Sequence, residues 1–455
     1  MRSWKNWTLV AVCGAALYFL YFFGLTRTGL LGPDEPRYAA IGRSMAESGD
    51  WITPRLWGEA WFEKPALLYW MTAAGFKAGL GLDLAPRLPV AIVSVAFLIF
   101  FFVALRAEFG AQAAFFAAAI LATSAGWLAY SHVAVTDLPM SAALAAAMLL
   151  VMKKSPKRSD ILIAGALLGL AVLAKGLVPL ALFFPVLWLW RHRIRGLALL
   201  FTATAVVALP WYVAVTLRNG PPFLEEFFWK HHFERFTTSV LQHEQPFWFY
   251  VPVLVAGFFP WFPLLPLLFE KHLYKDRRVI FLLAWWLWGF LFFSIARNKL
   301  PGYLLPLMPA MAIMLGIALA ETRVPSFKVA SLLAVCALLF CFIPAILNVL
   351  PQGLLGGVSH AHARFPLNWM APAILASFCC FYLEKAGRRT CAAGVVSGLV
   401  IASILQIVWQ VYPQLDRTVS ARGMAVYSVT CVNPMTRSRR YGIQYYAGRT
   451  LPDCN

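Results

Sequence analysis

Charge is scarce in this chain, and negative charge is scarcest. Only 13% of its 455 residues are charged, with 20 acidic residues against 39 basic ones. A soluble globular chain carries about 25% charged residues, so most of this surface must face lipid or other helices. Sustained alternation of apolar and polar residues is missing, which argues against a β-barrel. None of the eight cysteines shows zinc-type spacing. No segment is of low complexity, and no period of about 20–50 residues repeats.

What the chain has in abundance is continuous apolar sequence. Hydrophobic residues make up 61% of it and the mean hydropathy is +0.69. A helix of about 20 apolar residues crosses the hydrocarbon core, and such runs recur along the whole length. The first, near 8–24, follows Arg2 and Lys5 and lacks a small-x-small cleavage site, so it reads as an uncleaved span. Later runs lie near 88–105, 111–129, 138–152, 161–174, 177–190, 197–216, 249–268, 279–296, 303–320, 329–349, 369–383 and 391–410, making thirteen expected spans. The class is therefore an all-α polytopic membrane protein.

The net charge of +19 suggests a phosphate-rich partner, but it sits in short loops where the positive-inside rule accounts for it. No nucleic-acid partner is expected. Alternate connections are short and basic, at 153–158, 191–195, 271–278 and 385–389. With the N-terminus, Arg106, Arg323 and Lys328, they hold 19 of the 39 basic but only 6 of the 20 acidic residues. This side reads as cytoplasmic. The loop at 25–87, the loop at 217–248 and the segment 411–455 then share the external face. The expected division is a transmembrane domain over 1–410 and a short external cap over 411–455. Cys431 and Cys454, alone among the cysteines outside apolar runs, fall in that cap and are expected to form a disulfide.

The chemistry-bearing residues gather on the external side. Pro33-Asp34-Glu35-Pro36-Arg37-Tyr38 follows the first span, and Trp61-Phe62-Glu63-Lys64-Pro65 lies further along the same loop. Such groups could be solvated loop residues or interfacial anchors. Asp137 stands at the external end of an apolar hairpin, where a carboxylate is costly, although Thr136 or Asp137 would also cap the next helix. Lys175 either binds a phosphate or snorkels. The loop 217–248 supplies His231, His232, Arg235 and His243, and Arg297-Asn298-Lys299 precedes Tyr303. Together these provide carboxylates to take a proton, cations for a phosphate and aromatic rings for a sugar or isoprenoid. Transfer of a sugar from a lipid-linked phosphate needs that set. The rival reading is a transporter or flippase of lipid-linked sugars without transfer chemistry. Paired inverted repeats with broken helices, usual in transporters, are not apparent.

In this order the motifs resemble the PMT/lipid A aminoarabinose transferase group of GT-C glycosyltransferases. The resemblance runs through Asp34-Glu35 with Arg37-Tyr38, Gly49-Asp50-Trp51, Glu63-Lys64-Pro65 with Tyr69-Trp70, and Thr136-Asp137. It continues through His232 with Arg235-Phe236, Pro246-Phe247-Trp248, Pro260-Trp261 and Lys299-Leu300-Pro301 with Tyr303, and includes Arg440-Tyr441-Gly442 in the tail. It implies a GT-C bundle with amphipathic helices along the external surface of the first loop, a polyprenyl-phosphate sugar donor, and inversion at the anomeric carbon. By position, Asp34, Glu35 and Asp137 are the expected catalytic carboxylates. Lys64, Arg235, Lys299, Tyr303 and Arg37 are expected to hold the donor phosphate. Glu63 and His232 correspond to a metal-binding pair, for Zn, Mg or Mn. The acceptor is expected to be a lipid such as lipid A, a glycan or a protein. The site is expected on the periplasmic face of a bacterial inner membrane, in a monomer, with a cap shorter than the external domain of the lipid A enzymes.

Overall fold

Backbone N–H and C=O groups in hydrocarbon can be satisfied only by one another, so continuous apolar runs become helices. The structure, a computed structural model, describes residues 2–234, 245–356, 361–363, 370–424, 429–432, 436–452 and 454. From the N-terminus it places α1 (Arg2–Tyr21), α2 (Asp34–Ser48), a short antiparallel hairpin of β1 (Arg55–Leu56) and β2 (Glu59–Ala60), α3 (Leu67–Lys77) and α4 (Gly81–Thr123). There follow α5 (Ala125–Ser131), α6 (Asp137–Met152), α7 (Arg158–Lys175), α8 (Val178–Leu182), α9 (Phe184–Leu189) and α10 (Ile194–Asn219). α4 is two helices meeting at Gly110, whose φ of 85° and ψ of 168° break the helical path. Among the described residues that hairpin is the only sheet.

The helical multi-pass architecture is as expected, but the count of thirteen spans is not carried over. Among the described residues six helices, or seven if a bent pair is one span, are long and apolar enough to cross alone. The other expected runs fall short of that length or hydropathy for local reasons. α6 has 16 residues, and α7 carries Arg158, Asp160 and Lys175. The run at 177–190 breaks into α8 and α9, each with a proline in its first turn, and the run at 249–268 turns by 110°. The segment Pro301–Glu321 is the buried centre of the bundle and packs against α4.

The first external loop is fixed from below and above. From below, Glu35, 0% exposed, faces Arg87 of α4. Arg87 donates to both Glu35 oxygens at 2.7 and 2.8 Å, and to the carbonyls of Leu25, Thr28 and Gly29. Glu35 also accepts from the backbone of Leu31 at 2.8 Å and Ala134 at 3.0 Å. From above, the cap holds the same turn. Asp416 accepts from Gly29 N–H at 2.7 Å, and the Tyr446 hydroxyl accepts from Leu30 N–H at 2.8 Å while donating to Asp83 at 2.6 Å. Arg422 bridges Asp83 and Asp416, both at 2.7 Å. The approach is so close that a Cβ on Gly29 would stand 2.7 Å from the Tyr446 hydroxyl. The expected Cys431–Cys454 disulfide is present within this cap.

Removing one member of a buried ion pair leaves an uncompensated charge and costs about 3–5 kcal/mol. Arg87→Leu should therefore lower the melting temperature of the purified protein in detergent by many degrees. An unchanged Tm would contradict the anchoring role of this pair.

Candidate active site

Asp34 opens α2 in the first helical turn, where a carboxylate is favoured by the helix dipole. Its side chain is 46% exposed, and one oxygen meets Arg37, one turn on, at 2.5 Å. Arg37 is 3% exposed and also pairs with Glu63 at 3.0 Å. Its guanidinium lies 5.2 Å from the Tyr38 ring centroid, 5.4 Å from that of Trp61 and 5.7 Å from that of Tyr441 in the cap helix, Arg437–Ala447. Burial opposes its charge, yet Glu63, Tyr38 and Asp34 outweigh that and hold its pKa above the ordinary arginine value. Lys64 adds a further contact to Glu63 at 3.3 Å. Four charges of the two loop motifs thus form one compact cluster. The buried Tyr69 ring packs edge-on to Tyr38 at 5.9 Å, and burial, then Glu63, pushes its phenol up.

Asp137 and Lys175 make the second cluster. α6 and α7 form an antiparallel hairpin of 16 and 18 residues, so the first residue of one and the last of the other reach the same level. There Lys175 donates to Asp137 at 2.5 Å and stands 4.7 Å over the Tyr303 ring. Tyr130 joins the two clusters: its hydroxyl is within electrostatic range of Asp137, Asp34 and Tyr303 and lies against Gly302. A side chain at Gly302 would place its Cβ 2.5 Å from that hydroxyl. Tyr250 neighbours Tyr303, Tyr130 and Asp137 in the same way. Lys299, four residues before Tyr303, is buried and donates to the carbonyls of Gln245 at 3.0 Å and Ala296 at 2.6 Å. Burial lowers its pKa.

Several expected site residues therefore converge: Asp34, Arg37, Glu63 and Lys64 on one side, Asp137 and Tyr303 on the other, with Lys299 beside Tyr303 in sequence. Two depart from their expected placement. Glu35 is sealed against Arg87, away from the open face of Asp34. Arg37 is engaged by carboxylates rather than open to a phosphate. Lys175, read from the sequence as either snorkelling or binding a phosphate, pairs instead with Asp137, because the hairpin brings an opposite charge within reach. Arg235 and His243 lie outside the described residues, as do the side chains of His231 and His232. Tyr130 had no distinguishing sequence signal beyond being an aromatic residue near an apolar run, whereas Tyr441 belongs to the Arg440-Tyr441-Gly442 motif and Tyr250 closely follows Pro246-Phe247-Trp248.

The described residues do not assemble a metal site: no group of three or more His, Cys, Asp or Glu suited to a metal occurs among them. Glu63 is already flanked by two cations. The helix Glu225–Glu234, which carries His232, does approach it. Glu226 in that helix has its carboxyl pushed up by burial, with Glu63 adding to the effect. The side chain of His232, the other half of the expected Zn, Mg or Mn pair, lies outside the described residues, which hold only Glu63 of that pair.

Beyond Arg37 an open cleft of about 560 Å³ separates the hairpin from the cap, lined among others by Trp57, Glu59, Trp61, Arg437, Arg440 and Tyr441. Trp57 sits at its lip with φ of 55°, a costly conformation for a bulky residue.

Lys175→Met would leave Asp137 partly buried without its cation and should destabilise the protein by about 1–3 kcal/mol. Asp137→Asn added to it should restore part of that loss. Unfolding of both variants in detergent checks this, and a double variant no more stable than Lys175→Met would argue against a paired role.

Comparison with known proteins places this geometry. The family model for dolichyl-phosphate-mannose-protein mannosyltransferases matches residues 6–241. Among curated proteins, the undecaprenyl phosphate-alpha-4-amino-4-deoxy-L-arabinose arabinosyl transferase of Erwinia tasmaniensis is 32% identical over 77% of this chain and 67% of its own length. A Pseudomonas fluorescens enzyme of the same description is 35% identical over 70% of this chain and 60% of its own. Among solved structures, ArnT from Cupriavidus metallidurans bound to undecaprenyl phosphate matches with a TM-score of 0.74 and 26% identity, covering 98% of this chain and 85% of that one. The archaeal oligosaccharyltransferase AglB from Archaeoglobus fulgidus, at 12% identity and a TM-score of 0.53, shares the fold. From these matches the chain is a membrane glycosyltransferase of the GT-C fold and belongs to the dolichyl-phosphate-mannose-protein mannosyltransferase (PMT) family.

Proposed function

We propose that this enzyme transfers a sugar from a polyprenyl-phosphate carrier of the undecaprenyl type to an acceptor at the periplasmic face of its membrane, inverting the anomeric carbon. The carrier is the one named for its relatives and bound in the ArnT structure. The sugar of those relatives is a pentose, 4-amino-4-deoxy-L-arabinose, which makes an aminopentose the first donor to try. The observation that carries the reading is the grouping of Asp34, Asp137 and Tyr303 around Tyr130, together with a buried Lys299 that meets carbonyls and no carboxylate among the described residues.

In this reading Asp34 takes the proton of the acceptor hydroxyl. Arg37 grips one of its oxygens and leaves the other, which has no hydrogen bond among the described residues, facing the opening. The acceptor oxygen bonds to the anomeric carbon as the bond from that carbon to the phosphate oxygen breaks, and the carrier leaves as its monophosphate. Negative charge grows on that phosphate, where Lys64, Lys299 and Tyr303, with Arg235, would stabilise it. Two of the three N–H groups of Lys299 are committed to carbonyls, leaving one to donate. Arg37 positions Asp34, and Glu35 has a structural rather than a catalytic role. Asp137, with Lys175, forms the wall on the acceptor side. The cleft under the cap, with two indole rings and two arginines, suits a glycan that bears negative charge, such as lipid A. The enzyme would work as a monomer in a bacterial inner membrane, with this site facing the periplasm, residues 1–410 as its catalytic domain and 411–455 as its cap.

Purified protein supplied with an undecaprenyl-phosphate-linked aminopentose and a lipid A acceptor should release undecaprenyl phosphate, which a transporter would not do. Asp34→Asn should lower that rate by about 10²–10⁴-fold with folding unchanged. Near-normal turnover of the variant would remove Asp34 from its assigned role.

A further inference from the structure

A second pocket, of about 450 Å³, lies at the other end of the bundle and is lined by Pro156, Ile161, Trp190, His192, Arg193, Ile194, Arg195 and Gly196. Ile161 stands near the start of α7 and Lys175 ends it. At 1.5 Å per residue the two are about 20 Å apart along the helix, so this pocket and the Asp137–Lys175 pair belong to opposite membrane surfaces. Its floor is Trp190, 2% exposed, with the Arg193 guanidinium 5.6 Å from the indole centroid. The neighbouring Arg191 sits in the same way over Trp188 at 5.5 Å. Apolar side chains run outward beside these cations. Ile194 is 74% exposed and Trp188 54%, a level at which hydrocarbon, not water, is the natural neighbour.

The charge of this pocket sets it apart from the other basic connections on the same surface. Each of those contains a cation held by a carboxylate: Lys153 by Asp160, Arg278 by Asp276 and Glu108, and Arg389 by Glu384. Among the described residues no carboxylate pairs with Arg191, Arg193 or Arg195, and none lines the pocket. Two guanidinium groups, an imidazole and an indole floor are left beside an exposed apolar wall. A planar guanidinium can grip two oxygens of one phosphate, and basic pockets between transmembrane helices recognise anionic lipid headgroups.

We propose that this pocket binds an anionic glycerophospholipid, its phosphate on Arg193 and Arg195 and an acyl chain along Ile194 and the start of α10. Binding is independent of the glycosyl-transfer site. It ties the α9–α10 turn to the membrane surface and thereby fixes the level of the bundle.

Native mass spectrometry of the full chain, with dioleoyl phosphatidylglycerol and dioleoyl phosphatidylcholine as probes, tests this. Wild type should retain phosphatidylglycerol at least about tenfold better than phosphatidylcholine. Arg193→Gln with Arg195→Gln should abolish that preference. A charge-matched control, Lys275→Gln with Arg277→Gln on a neighbouring connection, should keep it. Glycerol phosphate, the headgroup without chains, should not displace the lipid. The proposal is overturned by equal loss in both double variants, which would mean diffuse surface charge. Equal retention of the two lipids, or displacement by glycerol phosphate, would also overturn it.

Discussion

Glu35 and Arg87 are both shut off from water, and between them they satisfy the backbone of the turn that leads into α2. Three carbonyls of the turn accept from Arg87, and Leu31 N–H donates to Glu35. An ion pair in such surroundings gives little net stability over an apolar pair, but it tolerates only one geometry. That is its use here. Asp34 is the residue before Glu35, so once Glu35 is locked downward, Asp34 is set at the open end of α2 with Arg37 one turn along to hold it. The cap adds to the constraint through Asp416 and Tyr446, which bind the same turn from the outer side. Distant parts of the chain thus agree on the position of one carboxylate.

The same economy of charge governs the rest of the site. Asp137 is matched by Lys175, Glu63 by Arg37 and Lys64, and on the far surface Glu384 by Arg389. Lys299 differs. Among the described residues its ammonium meets carbonyl oxygens and no carboxylate, and burial lowers its pKa. An anion placed beside it would offset that burial, which is the electrostatic basis for the phosphate position proposed for it.

Much of this was legible in the sequence, for identifiable reasons. Continuous apolar runs gave the helical class, and the ordered motifs from Asp34 to Tyr303 gave the family. The pairing of Cys431 with Cys454 followed from their isolation outside apolar segments. What failed to show was pairing across space. Glu35 sits next to Asp34 in an acidic dipeptide, and only Arg87, 52 residues on, separates their roles. Lys175 looked like a lone cation until the α6–α7 hairpin closed. The hairpin could have been anticipated from two runs of similar length joined by a short basic turn, which bring their outer ends together. Thirteen apolar runs do not become thirteen long helices, because proline and embedded charge shorten or break several of them, and six or seven among the described residues are long and apolar enough to cross alone.

In the proposed reaction a lipid-linked phosphate leaves between Lys64, Lys299 and Tyr303, with Asp34 across the sugar from it. This placement is tested most directly by an experimental structure of this chain with bound undecaprenyl phosphate. The phosphate oxygens are expected within about 2.7–2.9 Å of the Lys299 and Lys64 ammonium groups, on the same membrane face as Asp34 and Asp137. A phosphate seated instead on Arg193 and Arg195, or in the cleft between Trp57 and Arg440, would contradict it.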